Sequence, residues 1–278
     1  MEPIITKQSL KLGSNFDSIK RKIETDSKYC GLRKLCKFYP DEKRIEYSTE
    51  RIYPSERPDR IPILFLFSNP HPDSVRSGLL FSEPRSKAFW QRLFESKYFR
   101  MRTDDEINLE HWNESTPKRL GQLMVEGRYE SDFLLYFHCF YPVPTNQLQD
   151  FKNLFKGDAE ARKAINIESR TELIRLAKKE NVKHIVVFTL PLFRMITQTS
   201  KPGWRGLIKR PKYDFPIDDF LGDEEVEKRW AKLSMGNIGD IDVYMSLDTR
   251  WKNVTTRKGE RYFTLILNAI LNSILKTK

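Results

Sequence analysis

A three-layer α/β/α fold around a central four-stranded, mainly parallel sheet is predicted for this sequence. Short, almost wholly apolar runs such as IPILFLF have the composition of strands buried on both faces. Helical stripes of apolar residues alternate with these runs, as βαβ units require. A closing segment with a broad apolar face supplies a core helix.

Taken in order, residues 1–57 are polar and lysine-rich, with helical spacing in Phe16, Ile19 and Ile23 and a Pro-punctuated end at Pro54 and Pro58. They are expected to form an N-terminal helical extension before an α/β domain over 58–278. Ile61 to Phe67 is the first core strand. After a polar loop, Ser86 to Phe94 carries Ala88, Phe89, Trp90, Leu93 and Phe94, the stripe of a helix that packs back on the sheet. There follow a helix around Arg119 to Val125, a strand Phe133 to Cys139, a helix Ser169 to Lys179, strands His184 to Thr189 and Ile241 to Ser246, and a helix Glu260 to Leu275. The stretch 198–240 is a long insertion, and insertions of that size usually serve function or contact another subunit. A chain of 278 residues has room for two small domains, but one domain with insertions is preferred here. In such folds ligands bind beyond the carboxyl ends of the strands. The loops after Phe67, Cys139, Thr189 and Ser246 are therefore where chemistry is sought.

The bulk composition narrows the function classes. No apolar run approaches the roughly 20 residues of a membrane helix, and the N-terminus lacks the pattern of a secretory signal, so an intracellular protein is expected. Cys30, Cys36 and Cys139 fit neither a zinc knuckle nor a redox pair and read as reduced structural thiols. No His, Asp and Glu spacing suggests a metal; Asp104, Asp105 and Glu106 read as a solvated acidic turn, and no cofactor is expected. A net charge of +11 suits a polyanionic partner or an acidic protein surface.

Phe67 to Leu93, FSNPHPDSVRSGLLFSEPRSKAFWQRL, sets Asn69 and Pro70 at the end of a strand, then Gly78 and Phe81, then Phe89 with Trp90 at the opening of a helix. This order resembles the first motif of the uracil-DNA glycosylase superfamily, with Asn69 before Pro70 similar to its mismatch-specific and single-strand-selective branches. The resemblance implies a monofunctional glycosylase that flips an altered base, uracil or a related deaminated base, out of DNA and hydrolyses its N-glycosidic bond. It gives Phe81 the stacking face for the base, Asn69 the positioning of water, and His71 and Pro70 places in the base pocket. Extrusion is a chemical necessity, because a stacked base cannot be attacked. Each residue also has a plainer reading: Phe81 as a core aromatic after a Gly turn, Asn69 as a cap of that turn, and His71 as a surface histidine.

Later segments depart from the family pattern. FLLYFHCF followed by YPVPTNQ is similar to the second family strand, but His138 stands where the family has a base-reading Asn. One imidazole cannot present the paired donor and acceptor of an amide, and a buried structural histidine is the alternative. DVYMSLDTRW, Asp242 to Trp251, replaces the family's His-Pro-Ser loop. Loss of a preorganised donor to the leaving base removes several kcal/mol in typical enzymes. Ser246, Thr249 and Arg250 are the candidate substitutes, with Trp251 or Leu247 as a wedge. The alternative is a non-catalytic nucleic-acid binder on the same fold.

Two basic patches complete the expectations. Trp204, Arg205, Lys209, Arg210, Lys212 and Tyr213 interleave cations with aromatics, as a DNA surface does. Arg250, Lys252, Arg257, Lys258 and Arg261 surround the start of the last helix. DNA, single- or double-stranded, is the expected partner of a monomeric protein.

Overall fold

A computed structural model describes residues 4–55, 59–83, 87–102, 107–198, 235–247, 255 and 261–277. Among these the order is β1 (Ile5–Lys11), α1 (Phe16–Thr25), α2 (Cys30–Arg33), β2 (Cys36–Tyr39), β3 (Arg44–Glu50) and β4 (Ile61–Phe67). It continues with α3 (Pro72–Ser77), α4 (Ala88–Phe94), β5 (Arg100–Met101), α5 (Thr116–Glu126), β6 (Tyr129–Glu130), β7 (Phe133–Cys139) and α6 (Leu148–Leu154). The last elements are α7 (Ala159–Lys179), β8 (His184–Val187), α8 (Leu190–Thr197), β9 (Met235–Ile238), β10 (Ile241–Met245) and α9 (Tyr262–Lys276).

The central sheet has the order β7-β4-β8-β10-β9. Its first four strands are parallel, and they are the four that the apolar runs predict. A fifth, β9, pairs antiparallel with β10 across a two-residue turn that starts at Gly239, φ +64°. The expected four-stranded sheet is thus corrected to a mixed five-stranded one. MGNI lacks both alternation and β-branched content until Ile238, so nothing in it announces a strand.

Both sheet faces are covered, which is why β4 and β7 read as unbroken apolar runs. Leu64, Leu66, Leu134, Tyr136, Ile185, Val187 and Val243 face one core with residues of α1, α7 and α8. Ile63, Phe65, Phe67, Phe133, Leu135, Phe137, Val186 and Tyr244 face the other with α4, α5 and α9. The alternation along each strand is the period-2 geometry of a pleated backbone.

The expectation of a helical extension over 1–57 also needs correction. The helix spaced by Phe16, Ile19 and Ile23 is present as α1, but it is accompanied by a three-stranded antiparallel sheet, β1-β3-β2. No residue of β1 is fully buried and two of its seven are lysines, so its signal is weak; β3 alternates, burying Ile45, Tyr47 and Thr49, but its charged Arg44, Glu46 and Glu50 mask the pattern. The segment is joined to the core. Ile52 exchanges two backbone hydrogen bonds with Phe137 at the outer edge of β7, and Gly31 lies so close to Pro72 that an added Cβ would come within 2.7 Å of its side chain.

Candidate functional site

The order β7-β4-β8 makes β4 a reversal point: the chain leaves β4 for one neighbour and later returns to the other. Loops diverge there and leave a crevice beyond the carboxyl ends of the strands. A cleft of about 530 Å3 lies at this place, lined by Phe67, Ser68, Asn69, His71, Phe81 and Glu83, by Thr145 to Gln149, and by Thr189 and Pro191.

Its walls are built by backbone pairing that continues past the strands. Phe140 N–H donates to Phe67 O, Tyr141 N–H to Ser68 O and Thr145 N–H to Pro70 O, at 2.8, 2.8 and 3.1 Å. The loop after β7 is thereby laid along the loop after β4. Asn69 locks the two together: its Nδ2 donates to Thr145 O at 2.9 Å and to Thr145 Oγ1 at 3.0 Å. A backbone carbonyl can only accept, so the atom facing it is the amide nitrogen, and this fixes the orientation of the side chain. Among the described residues, nothing donates to Asn69 Oδ1. The nitrogen ties the turn, and the oxygen is left as an acceptor.

Phe81 is held in an unusual backbone state, φ +57°, which costs a non-glycine residue about 1–2 kcal/mol. The neighbours that hold it are specific. Its ring stacks on Phe89 at 4.5 Å and makes a T-shaped contact with Phe67 at 5.0 Å. Trp90 Nε1 donates to Leu80 O at 2.7 Å and Trp112 Nε1 to Ser82 O at 3.0 Å, clamping the residues on either side. Gly78, φ +75°, ends α3 and turns the chain into this segment. Phe81 is half-buried and lines the cleft.

His71 lines the same cleft and caps α3, accepting from Asp73 N–H. Its Nδ1 is 3.0 Å from Glu83 Oε1. Pro70 is buried between Asn69 and His71 and supplies the carbonyl that receives the Thr145 N–H.

His138 is not brought to this cleft. As the register partner of Leu66 it points to the opposite sheet face from Phe67, where its Nδ1 meets Tyr53 Oη at 2.9 Å. It lines a separate cavity of about 500 Å3 with Lys7, Tyr47, Glu168 and Arg175. Burial, reinforced by the Arg51 charge, lowers its pKa to about 4, so the ring is neutral at physiological pH. The strand period explains the correction: one residue along β7 exchanges one face for the other. The two cavities are similar in size, but only the cleft lies at the reversal point and gathers Asn69 and Phe81.

Ser246 follows β10, where its N–H donates to Val187 O at 2.9 Å. Its hydroxyl is buried and has no partner among the described residues, and it does not line the cleft. Arg250, Thr249 and Trp251, the whole of Trp204, Arg205, Lys209, Arg210, Lys212 and Tyr213, and Lys252, Arg257 and Lys258 lie outside the described residues. Arg261 is described, at 3.6 Å from Glu95. Neither a family model nor a curated relative matches the chain.

The cleft also contains residues that the sequence reading passed over. Thr145, Asn146 and Gln147 belong to YPVPTNQ, and the amide-rich TNQ after a buried strand was the available signal. Thr189, whose Oγ1 is 3.5 Å from Ser68 Oγ, lies two residues past β8 at the start of α8. The grouping of His71, Asp73 and Glu83 joins residues up to twelve positions apart, which spacing rules do not reveal. Among the described residues, no helix is long and apolar enough to cross a membrane.

Proposed function

We propose that this chain is a DNA glycosylase-like protein that accepts a flipped, altered base in the cleft beyond β4 and hydrolyses its N-glycosidic bond. The observation that carries the reading is the pairing, in one crevice at the sheet reversal point, of a fixed Asn69, whose Oδ1 takes no donor among the described residues, and a half-buried Phe81 in a constrained backbone state. The face of Phe81 turned away from Phe89 stacks on the base. Asn69 Oδ1 orients a water toward the sugar carbon, where the water oxygen forms a bond as the carbon–nitrogen bond breaks and the base leaves with the electron pair and takes up the proton that the water releases. An amide is a weak base, so its part is orientation more than proton transfer.

Thr145 to Gln149 take over the base-edge role that the family resemblance gave to His138. Their hydroxyl, amides and backbone groups supply donors and acceptors on the wall next to Asn69. The net charge of +11 supports DNA as partner, inside the cell, through phosphate neutralisation. Arg250 remains the proposed partner of the leaving base and the phosphates.

A second reading, a binder without turnover, is favoured by one observation: DVYMSLDTRW has no His and no Pro at the place where the family motif stabilises the leaving base. Single-turnover alkali scission on oligonucleotides carrying uracil, mismatched thymine, hypoxanthine or xanthine separates the two. The proposal expects abasic sites on at least one substrate and their loss in Asn69→Ala. Salt-sensitive DNA binding with no base released from any substrate would leave the binder.

A further inference from the structure

At the rim of the cleft, three side chains with metal-ligating atoms converge. His71 Nδ1 lies 3.0 Å from Glu83 Oε1 and 3.7 Å from Asp73 Oδ2, and one atom from each of the three falls within 4.8 Å of the others. We propose that His71, Asp73 and Glu83 form a site for a divalent cation of the zinc or manganese type, with a remaining coordination position filled by water.

The distances suit such an ion. Ligand bonds of about 2.0–2.1 Å in tetrahedral geometry put ligand atoms about 3.3–3.4 Å apart, between the two separations measured from Nδ1. The Asp73–Glu83 separation, within 4.8 Å, closes by rotation of two side chains that are both partly exposed. One imidazole and two carboxylates form a mixed nitrogen and oxygen set, which favours zinc or manganese over calcium.

Hydrogen bonding at the site points the same way. Nδ1 lies 3.3 Å from Asp73 N–H and 3.0 Å from the Glu83 carboxylate oxygen, and its single lone pair serves either the long cap bond or a cation, which would displace that bond. Two electron-rich atoms at this distance need a proton or a cation between them. Arg76 pairs with Asp73 through Oδ1, leaving Oδ2 as the ligand atom, and so orients the carboxylate as outer-shell groups do around bound metals. His71 and Glu83 belong to the cleft wall, so a cation here would present its bound water to the same crevice as Asn69. The site stands on its own ligand geometry and does not depend on base excision.

The test is calorimetric titration of zinc chloride into the full chain at pH 7.5, with Cys30→Ser and His111→Ala as controls for other surface ligands. We expect one equivalent bound in the wild type and in both controls, with affinity at least about tenfold weaker in His71→Ala and in Glu83→Gln. His71→Ala also removes a helix cap, so Glu83→Gln, which keeps shape and touches no cap, is the deciding variant. Absence of binding by the wild type at 100-micromolar-range zinc, on the order of ordinary surface affinity, or equal binding by the wild type and Glu83→Gln, overturns the proposal.

Discussion

Replacing His138 by Gln should make the fold markedly more tolerant of acid. The His138 ring is buried and its Nδ1 bonds Tyr53 Oη; burial first, and then the Arg51 charge, bring its pKa from the ordinary 6.5 to about 4. The unfolded chain takes up a proton near 6.5 while the folded chain resists until about 4. Between these values the unfolded state holds more protons, so stability falls as the pH drops through that window. Above 6.5 the ring is neutral in both states and contributes no pH dependence. At about 1.36 kcal/mol per pH unit, the loss by pH 4 is on the order of 3 kcal/mol. Buried Glu50 works in the opposite sense, since burial raises its pKa and its contribution falls as pH rises above the unfolded carboxylate range. Glu50 is common to wild type and variant, so their difference isolates His138. Urea unfolding of both proteins at pH 7.5, 6, 5 and 4.5 should give curves that diverge steadily below pH 6.5. Parallel curves down to pH 4.5 would refute the reasoning, since Gln has no charge to acquire.

Glu50→Gln should raise the melting temperature at pH 7–8, because both carboxylate oxygens are buried without partners among the described residues and the acid must hold its proton to stay folded; a neutral amide is spared that cost, and thermal melts across pH 5–8 read it. Thr145→Val removes one of the two Thr145 acceptors of Asn69 Nδ2 and the donor to Gln147 O, and should cost about 1–3 kcal/mol in urea unfolding while loosening Asn69. Phe81→Ala should weaken binding of an oligonucleotide with a flipped base by about 5- to 150-fold, corresponding to about 1–3 kcal/mol of stacking, with little change toward an undamaged duplex. Fluorescence anisotropy measures both.

The parallel core was legible because each of its strands is buried on both faces and so is apolar along its length; β4 and β7 could hardly be read otherwise. The edge elements were not, since edge strands bury less and β9 and β1 carry Gly, Asn, Gln and Lys. In the cleft, Asn69, His71 and Phe81 were legible as one segment because their grouping is local in the chain, while Pro70 is buried behind the cleft wall. His138 was misplaced for a geometric reason, as motif spacing does not say which face a strand residue takes until the register is known. Thr145 and Glu83 depend on loops pairing in space, Thr145 with Asn69 and Glu83 with His71, and spacing alone carries no sign of either contact.

The central claim is that the crevice at the ends of β4, β7 and β8 receives the base. Photo-cross-linking of the full chain to a single-stranded oligonucleotide carrying 5-iodouracil, mapped by peptide mass spectrometry, tests it most directly. The account predicts adducts at Phe81 or elsewhere within Phe67–Glu83 and Thr145–Gln149, lost on competition with a uracil-containing strand. Adducts confined to the cavity of Lys7, Tyr47, His138 and Arg175 would contradict it.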